Sequence, residues 1–218
     1  MSTLHTISNK VADKSLTEIV RQSPRFIQKQ LFRRSVRFYY YQKLHRTPTK
    51  RAARRAAAID CLSGDDTLLF VCHGNICRSP FAEWYAKQEL DNQDIEGVTV
   101  DSAGFQSPSD PTSPQDAVTT ATNWDVDLTD HHSVQTDAEI LKQADLVLLM
   151  DYKNYHDMTT AFPEFTDRIF FLRLFDHGPE MELTDPYNSG AAAFEQVYGQ
   201  ITQSIDSILD EYSSSVSG

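Results

Sequence analysis

Residues Thr67–Glu83 read TLLFVCHGNICRSPFAE and combine the signals of a strand, a loop and a helix. The apolar run from Leu68 to Val71 predicts a buried strand, and the residues from Ser79 onward predict a helix. Cys72 opens the loop between them and Arg78 closes it, with five residues in between. This spacing lets the loop curl so that its backbone N–H groups point into one concavity above the helix N-terminus.

Such a concavity binds a tetrahedral oxyanion. Arg78 adds a planar fork of donors suited to two phosphate oxygens. The same positive field favours a thiolate at Cys72, which makes this residue a candidate nucleophile near neutral pH. We expect Gly74 where the backbone turns and Pro80 in the first helical turn, where its missing N–H has no cost. The alternative, a buried cysteine with an unrelated surface arginine, is disfavoured by this structural context.

From Val71 to Pro80 the chain resembles the signature loop of the low-molecular-weight protein tyrosine phosphatase family. The resemblance continues, in the order of the family, at Asp101–Gly104, Ala144–Asp151 and Asp185–Tyr187. It covers about residues 65 to 212 and implies a three-layer α/β fold of the phosphatase I type, with a central parallel four-stranded sheet. The N-terminal extension lies outside it and is expected to be helical.

The resemblance implies hydrolysis of phosphotyrosine through a cysteinyl-phosphate intermediate. Cys72 would attack phosphorus, while Arg78 and the loop amides hold the phosphate oxygens. Asp185 would protonate the leaving phenolate and later activate water, and Pro186 would stiffen its segment. Taken alone, Asp185 before a proline suggests only a turn, but its combination with the Cys72 loop favours the catalytic role.

The resemblance also implies roles for the residues around the catalytic cysteine. The phosphate-binding loop is expected to comprise His73, Gly74, Asn75, Ile76, Cys77 and Ser79. Ser79 can donate a hydrogen bond to the sulfur, and Asn75 and Ser102 can brace the strained loop backbone. His131 matches a histidine that hydrogen-bonds this network, although His132 stands where an arginine is usual.

Two side chains are candidates for the walls of an aromatic substrate slot. Tyr187 should form one wall and stack on the phosphoester, although Asn188 replaces a second aromatic residue that often follows. Phe105 is a candidate for the opposite wall or, equally, a partly buried loop residue. Cys77 is either a small buried hydrophobe or the partner of Cys72 in a reversible protective disulfide, which the resemblance modestly favours.

Three other functions are compatible with the loop. An arsenate reductase of this fold needs further cysteines, and none follows Cys77. A phosphoarginine phosphatase of the family carries threonine where Ile76 stands, and this apolar side chain suits a flat aromatic group better than a guanidinium. The third alternative is a phosphate-binding docking protein, against which the intact Cys72, Arg78 and Asp185 argue.

Charge divides the chain into two parts. Residues 1–64, here called the basic arm, hold 14 Lys and Arg against 3 Asp and Glu, whereas residues 65–218 hold 6 against 28. We therefore expect a basic, helical extension and a separate acidic phosphatase domain, with Ser63–Asp66 as the linker. The acidic domain should repel nucleic acid. The family resemblance implies a phosphotyrosine protein or a small aryl phosphate as the partner.

Apolar residues recur from Ile19 to Tyr40 at loosely helical spacing, interleaved with basic residues. Ser15–Glu18 matches a capping box, Pro48 interrupts the pattern, and Lys50–Ala58 predicts a second short basic helix. Three interpretations of the arm remain open. It packs its aromatic stripe on the acidic domain, docks on an anionic membrane, or binds a partner protein or nucleic acid. The first is favoured, because charge runs are usually solvated faces, and nucleic acid is the least expected.

The cysteine content predicts a reducing compartment. Cys61, Cys72 and Cys77 make no disulfide framework, and neither an apolar signal segment nor an apolar run of membrane-spanning length occurs in the sequence. We therefore expect a cytoplasmic protein, with a peripheral membrane position left open by the arm. No cofactor and no metal are expected, since no cluster of residues has ligand spacing.

The phosphatase part alternates predicted strands and helices. Strands are predicted at 67–71, 97–101, 145–150 and 168–172, and helices at 79–91, about 113–124, 152–160 and about 190–212. This alternation predicts a parallel sheet covered on both faces. The functional site then belongs at the carboxyl ends of the strands, where Cys72 lies.

Overall fold

The computed structural model describes residues 25–62, 64–176, 178 and 180–216. The capping box at Ser15–Glu18 and the start of the apolar stripe therefore lie outside the described residues. Within the described part, no helix combines the length and the apolar character needed to cross a bilayer.

Four parallel strands form one sheet in the order β2-β1-β3-β4. They are β1 (Asp66–Cys72), β2 (Val98–Gly104), β3 (Leu146–Leu149) and β4 (Ile169–Phe171). The short strands β3 and β4 are wholly buried, as their unbroken apolar sequences require in a sheet covered on both faces. The predicted α/β fold with a central parallel sheet is confirmed.

Helices surround this sheet and precede it. They are α1 (Arg25–Tyr40), α2 (Pro48–Ile59), α3 (Arg78–Asn92), α4 (Gln115–Ala121), α5 (Ala138–Gln143), α6 (Tyr152–Ala161) and α7 (Ala191–Val216). A π-helical turn, Tyr41–His45, joins α1 to α2. Pro48 separates the two helical segments, as expected, and is itself the first residue of α2, a position where proline is favoured. Asp66, expected in the linker, already belongs to β1.

The register of the sheet determines where the site forms. Cys72, the last residue of β1, lies opposite Gly104, the last residue of β2. The phosphate loop continues from Cys72 into α3, which packs against both β1 and β2. The switch in strand order between β1 and β3 opens a crevice at this end of the sheet, as in other open α/β sheets.

The described part of the basic arm packs into the same hydrophobic core as the sheet. Val36, Leu44 and Ala58 are buried members of that core. His45 is 2% exposed and lies edge-on to the rings of Tyr152 and Phe171. Burial lowers the pKa of His45 to about 4, so that the ring is neutral at pH 7 and packs as an aromatic group.

Arginines of the arm also bind carboxylates of the acidic domain. Arg37 Nη2 lies 2.8 Å from Glu180 Oε2, and its Nε lies 3.0 Å from Glu182 Oε2. Arg55 pairs with Glu211 on α7. The described part of the arm therefore packs on the acidic domain, which was the favoured one of the three interpretations. Contact of the arm with a membrane or a partner protein stays a prediction.

Candidate active site

A cavity of about 250 Å³ opens at the carboxyl end of β1. Its lining includes Cys72, Arg78 and Asp185, the three residues predicted to carry the chemistry. Other lining residues from the loop are His73, Gly74, Ile76 and Cys77. Among the described residues, no group of three or more His, Cys, Asp or Glu side chains is placed to hold a metal ion.

Two donors point at the buried sulfur of Cys72. Ser79 Oγ donates a hydrogen bond to Sγ at 3.1 Å, and the backbone N–H of Asn75 donates another at 3.2 Å. Both donors stabilise negative charge on the sulfur, before it attacks and again when it leaves. This is the contact that was predicted for Ser79.

Asn75 holds the loop in its curled shape. Its φ of 52° lies in the left-handed region, which asparagine tolerates better than most residues. Its side-chain Nδ2 donates to Ser79 Oγ at 2.9 Å and to Ser102 Oγ at 2.7 Å. His131 Nε2 lies 2.7 Å from the Asn75 carbonyl oxygen, so this nitrogen carries the proton. The structure thus places Ser102 and His131 in the contacts that bracing requires.

Gly104 allows β2 to approach the loop closely. A Cβ at this position would lie 2.8 Å from the carbonyl carbon of Gly74 and 2.9 Å from the nitrogen of Asn75. A Cβ on Gly74 would instead lie 3.8 Å from its nearest neighbour, Ile76 Cγ1. Gly74 lies in the bend of the loop, but Asn75 takes the left-handed conformation and Gly104 provides the space for the close approach.

We predict that Gly104→Ala lowers kcat/KM for an aryl phosphate by about 10²-fold, since a loop displaced by an ångström misplaces every donor. Steady-state kinetics and a thermal melt would separate this effect from unfolding. Gly199→Ala is the matched control, because a Cβ there, in the middle of α7, meets only Trp124 Cζ2 at 3.9 Å. Unchanged kinetics in Gly104→Ala would contradict the close approach described here.

Arg78 is 2% exposed, and its guanidinium is held in a fixed plane. Nη1 donates to Asp151 Oδ2 and to the carbonyl oxygen of Leu183, both at 3.0 Å, and Nη2 lies 3.2 Å from Asp185 Oδ2. Burial alone would lower the pKa of Arg78, but the carboxylates of Asp151 and Asp185 raise it above its ordinary value. Arg78 is therefore a permanent cation at the base of the cavity.

Comparison with known proteins assigns this arrangement to a family. Residues 67–217 match the model for the low molecular weight phosphotyrosine protein phosphatase family. The chain belongs to this family. The first 66 residues lie outside the match, as the resemblance of the loop and its following segments implied.

Individual relatives agree with this assignment. The chain is 33% identical over 144 residues to a probable low molecular weight protein-tyrosine-phosphatase, EpsP, of Ralstonia nicotianae, an alignment that covers 64% of this chain and 91% of that protein. The low molecular weight protein tyrosine phosphatase from T. tengcongensis superposes with a TM-score of 0.62 at 28% identity, covering 67% and 99% of the two chains. The YwlE arginine phosphatase from Geobacillus stearothermophilus superposes with a TM-score of 0.62 at 26% identity, covering 69% and 94%.

Glu83 also supports the phosphate-binding loop, a role that was not predicted from the sequence. Glu83 Oε2 accepts a hydrogen bond from Ser102 Oγ at 2.6 Å. Hydrogen bonds therefore run without a break from the catalytic sulfur to α3, through Ser79, Asn75, Ser102 and Glu83. Helical spacing could have indicated this role, because Glu83 follows Ser79 by four residues and lies on the same face of α3.

The walls of the cavity differ in part from those expected. Tyr187 lines the cavity and is 50% exposed, so its ring is accessible to a substrate. The opposite wall expected from Phe105 is formed instead by residues 106–109, because the Phe105 ring packs against the hydrophobic core. Asn188 has a φ of 60°, a conformation that an aromatic residue rarely adopts, which accounts for its place here.

Cys77 lines the cavity but is itself buried. Burial raises the pKa of the Cys77 thiol well above its ordinary value, so that it stays protonated at neutral pH. A protonated thiol is a poor nucleophile in disulfide exchange, which favours the interpretation of Cys77 as a small buried hydrophobe. The reversible disulfide with Cys72 stays a prediction.

Proposed function

We infer that this chain is a protein tyrosine phosphatase that hydrolyses phosphotyrosine, or a related aryl phosphate monoester, through a cysteinyl-phosphate intermediate. The observation that carries this inference is the Cys72 sulfur, which lies beneath two hydrogen-bond donors in a cavity that also contains Arg78 and Asp185. Membership of the family and the names of its relatives support the same activity.

In the first step the Cys72 thiolate attacks phosphorus in line with the aryl oxygen. The sulfur–phosphorus bond forms as the aryl oxygen–phosphorus bond breaks. Arg78 and the loop amides bind the three equatorial oxygens, over which the charge is spread in the transition state. Asp185 donates its proton to the aryl oxygen, so that a neutral phenol departs instead of a phenolate.

The contact between Arg78 and Asp185 links substrate binding to this proton transfer. Asp185 Oδ2 lies 3.2 Å from Arg78 Nη2, whereas Asp151 and Leu183 bind the other terminal nitrogen, Nη1. A phosphate at the loop takes over the hydrogen bond from Nη2 and leaves the Asp185 carboxyl group free to reach the aryl oxygen. The partners on Nη1 keep the guanidinium plane in place during this exchange.

In the second step Asp185 acts as the base. It accepts a proton from water, whose oxygen attacks phosphorus as the sulfur–phosphorus bond breaks. The departing thiolate is stabilised by the hydrogen bonds from Ser79 and Asn75, and inorganic phosphate leaves. The proton that Asp185 gains from water replaces the one that it gives to the aryl oxygen, so the two steps together leave its charge unchanged.

The lining of the cavity supports an aromatic substrate. Ile76 contributes an apolar side chain at the position expected to be polar in a phosphoarginine phosphatase, and the accessible ring of Tyr187 can stack on an aryl group. A guanidinium substrate would instead have to give up its hydration against this surface. Location in the cytoplasm stays a prediction from the cysteine content.

Hydrolysis of phosphotyrosine, phosphoserine and phosphoarginine peptides, each measured in EDTA, tests the proposed function. Phosphotyrosine turnover should survive EDTA and fall to background in Cys72→Ser, because the serine hydroxyl is a far weaker nucleophile than a thiolate. Cys61→Ser is the matched control, since this half-buried thiol lies outside the cavity.

Absence of turnover on all three peptides, at several salt concentrations and with fresh reductant, would overturn the proposal. A preference for phosphoarginine would replace it with the arginine phosphatase alternative.

A further inference from the structure

A groove of about 360 Å³ lies beside the catalytic cavity, and Asp185 lines both. Helix α1 of the basic arm forms one side of the groove with Arg33, Arg34 and Arg37. These residues share one face of the helix, since side chains three and four residues apart lie together. The groove therefore connects the arm, which lies outside the family match, with the proposed catalytic acid.

Each acidic side chain that lines this groove already has an arginine partner. Asp151 and Asp185 pair with Arg78 at 3.0 and 3.2 Å. Glu182 pairs with Arg37 at 3.0 Å. Asp151 and Asp185 share the guanidinium of Arg78, and Arg37 also binds Glu180, so these carboxylates are held by Arg78 and Arg37.

Arg33 and Arg34, in contrast, form no ion pair with any residue that the structure describes. Both are exposed on the face of α1 that borders the groove. Their positive charges lie along the groove that Asp185 also lines, and the charge of Arg33 also acts on Glu182. Guanidinium groups in such a position bind carboxylates or phosphates through paired hydrogen bonds and raise the local concentration of anionic ligands.

We propose that Arg33 and Arg34 bind an anionic side chain that neighbours the phosphotyrosine in the substrate. The occupant of the groove is a peptide segment that carries Asp, Glu or a second phosphorylated residue close to the scissile phosphotyrosine. This inference rests on the proposed function and adds substrate selectivity to it. The arm then contributes to recognition directly, because it supplies one wall of the path that leads to Asp185.

An anionic membrane is the competing occupant of this surface. Phe38 and Tyr39 are exposed on α1, and aromatic residues among arginines suit a lipid interface. The groove favours a peptide, because a flat bilayer surface cannot follow the depression between α1 and the segment that carries Asp185. A peptide already bound through its phosphotyrosine reaches Arg33 and Arg34 without further ordering of the protein.

The test compares two phosphotyrosine peptides that differ only in flanking Glu against flanking Gln, and a third with a second phosphotyrosine. In the wild-type protein kcat/KM should be higher for both anionic peptides, and added salt should reduce the preference. In Arg33→Gln/Arg34→Gln the ratio of kcat/KM for the Glu peptide to that for the Gln peptide should fall about fivefold, as expected for two exposed charges.

Lys43→Gln/Arg46→Gln is the matched control. It removes the same charge from exposed positions of the arm that do not line the groove, and it should keep the wild-type ratio. Equal kcat/KM for the Glu and Gln peptides in the wild type would overturn the inference. So would an unchanged ratio in Arg33→Gln/Arg34→Gln. Lost binding of the same variant to phosphatidylserine vesicles would then assign the surface to lipid.

Failure of the proposed function would be distinguishable from these outcomes. In that case the wild-type protein would hydrolyse neither p-nitrophenyl phosphate nor any of the peptides. Turnover of p-nitrophenyl phosphate and of the Gln peptide, without preference for negative charge, would support the phosphatase activity. It would contradict only the proposed role of the groove in substrate selectivity.

Discussion

Replacing Arg78 by lysine should lower kcat for an aryl phosphate by about 10³-fold. Lysine keeps the charge but loses the planar fork, so it cannot bind phosphate oxygens and Asp151 at the same time. Because Arg78 is 2% exposed and also donates to Leu183, its loss leaves buried acceptors without a donor. The free energy of unfolding should fall by about 3 kcal/mol as a result.

Steady-state kinetics and urea unfolding would measure the two effects of this substitution. Arg173→Lys is a matched control, because Arg173 is partly buried, with its side chain 12% exposed, and likewise donates to a carboxylate and a carbonyl, Asp176 at 2.7 Å and Glu182 at 3.2 Å. It lies outside the cavity lining and should reduce stability without the loss in kcat. A kcat for Arg78→Lys within tenfold of the wild-type value would contradict the role of the planar guanidinium in binding the phosphate oxygens.

Replacing Asp185 by asparagine should have an effect that depends on the leaving group. For phosphotyrosine, whose phenol has a pKa of about 10, kcat/KM should fall by about 10²- to 10⁴-fold, because the departing oxygen needs a proton. For p-nitrophenyl phosphate the loss should be much smaller, since p-nitrophenolate is a weak base and leaves without protonation. Asparagine is nearly the same size as aspartate, so the substitution tests the proton and not the packing.

The measurement is kcat/KM across a series of aryl phosphates of increasing leaving-group pKa. In the variant the slope of this series should steepen, and in Asp167→Asn, which alters an exposed carboxylate elsewhere, it should match the wild type. Equal losses on all leaving groups would show that Asp185 orients the substrate and does not transfer the proton.

The strand, loop and helix around Cys72 could be predicted because each follows a local rule. The predicted strand at 67–71 and helix at 79–91 compare with Asp66–Cys72 and Arg78–Asn92 in the structure. An apolar run, a motif of fixed spacing and a proline at a helix start all act within a few residues. Helix α5 was missed because its six residues are too few to display a helical period.

Features that depend on contacts between distant segments could not be predicted. Gly104 is required because β2 brings it against Asn75, and nothing local to Gly104 signals this approach. Whether the Phe105 side chain packs on the core or lines the cavity depends in the same way on a distant contact, the register that pairs Cys72 with Gly104. The groove beside Asp185 also depends on how the arm packs, since composition reveals the charge of the arm but not its position.

The burial of His45 has a consequence for how this protein can be shortened. His45 and Tyr40 cover the rings of Tyr152, Tyr155 and Phe171, each at most 3% exposed. A chain that began at residue 67, where the family match begins, would present these rings to water and would tend to self-associate. We therefore expect the smallest stable unit to be larger than the family domain, and an arm-free enzyme to need polar replacements on α6.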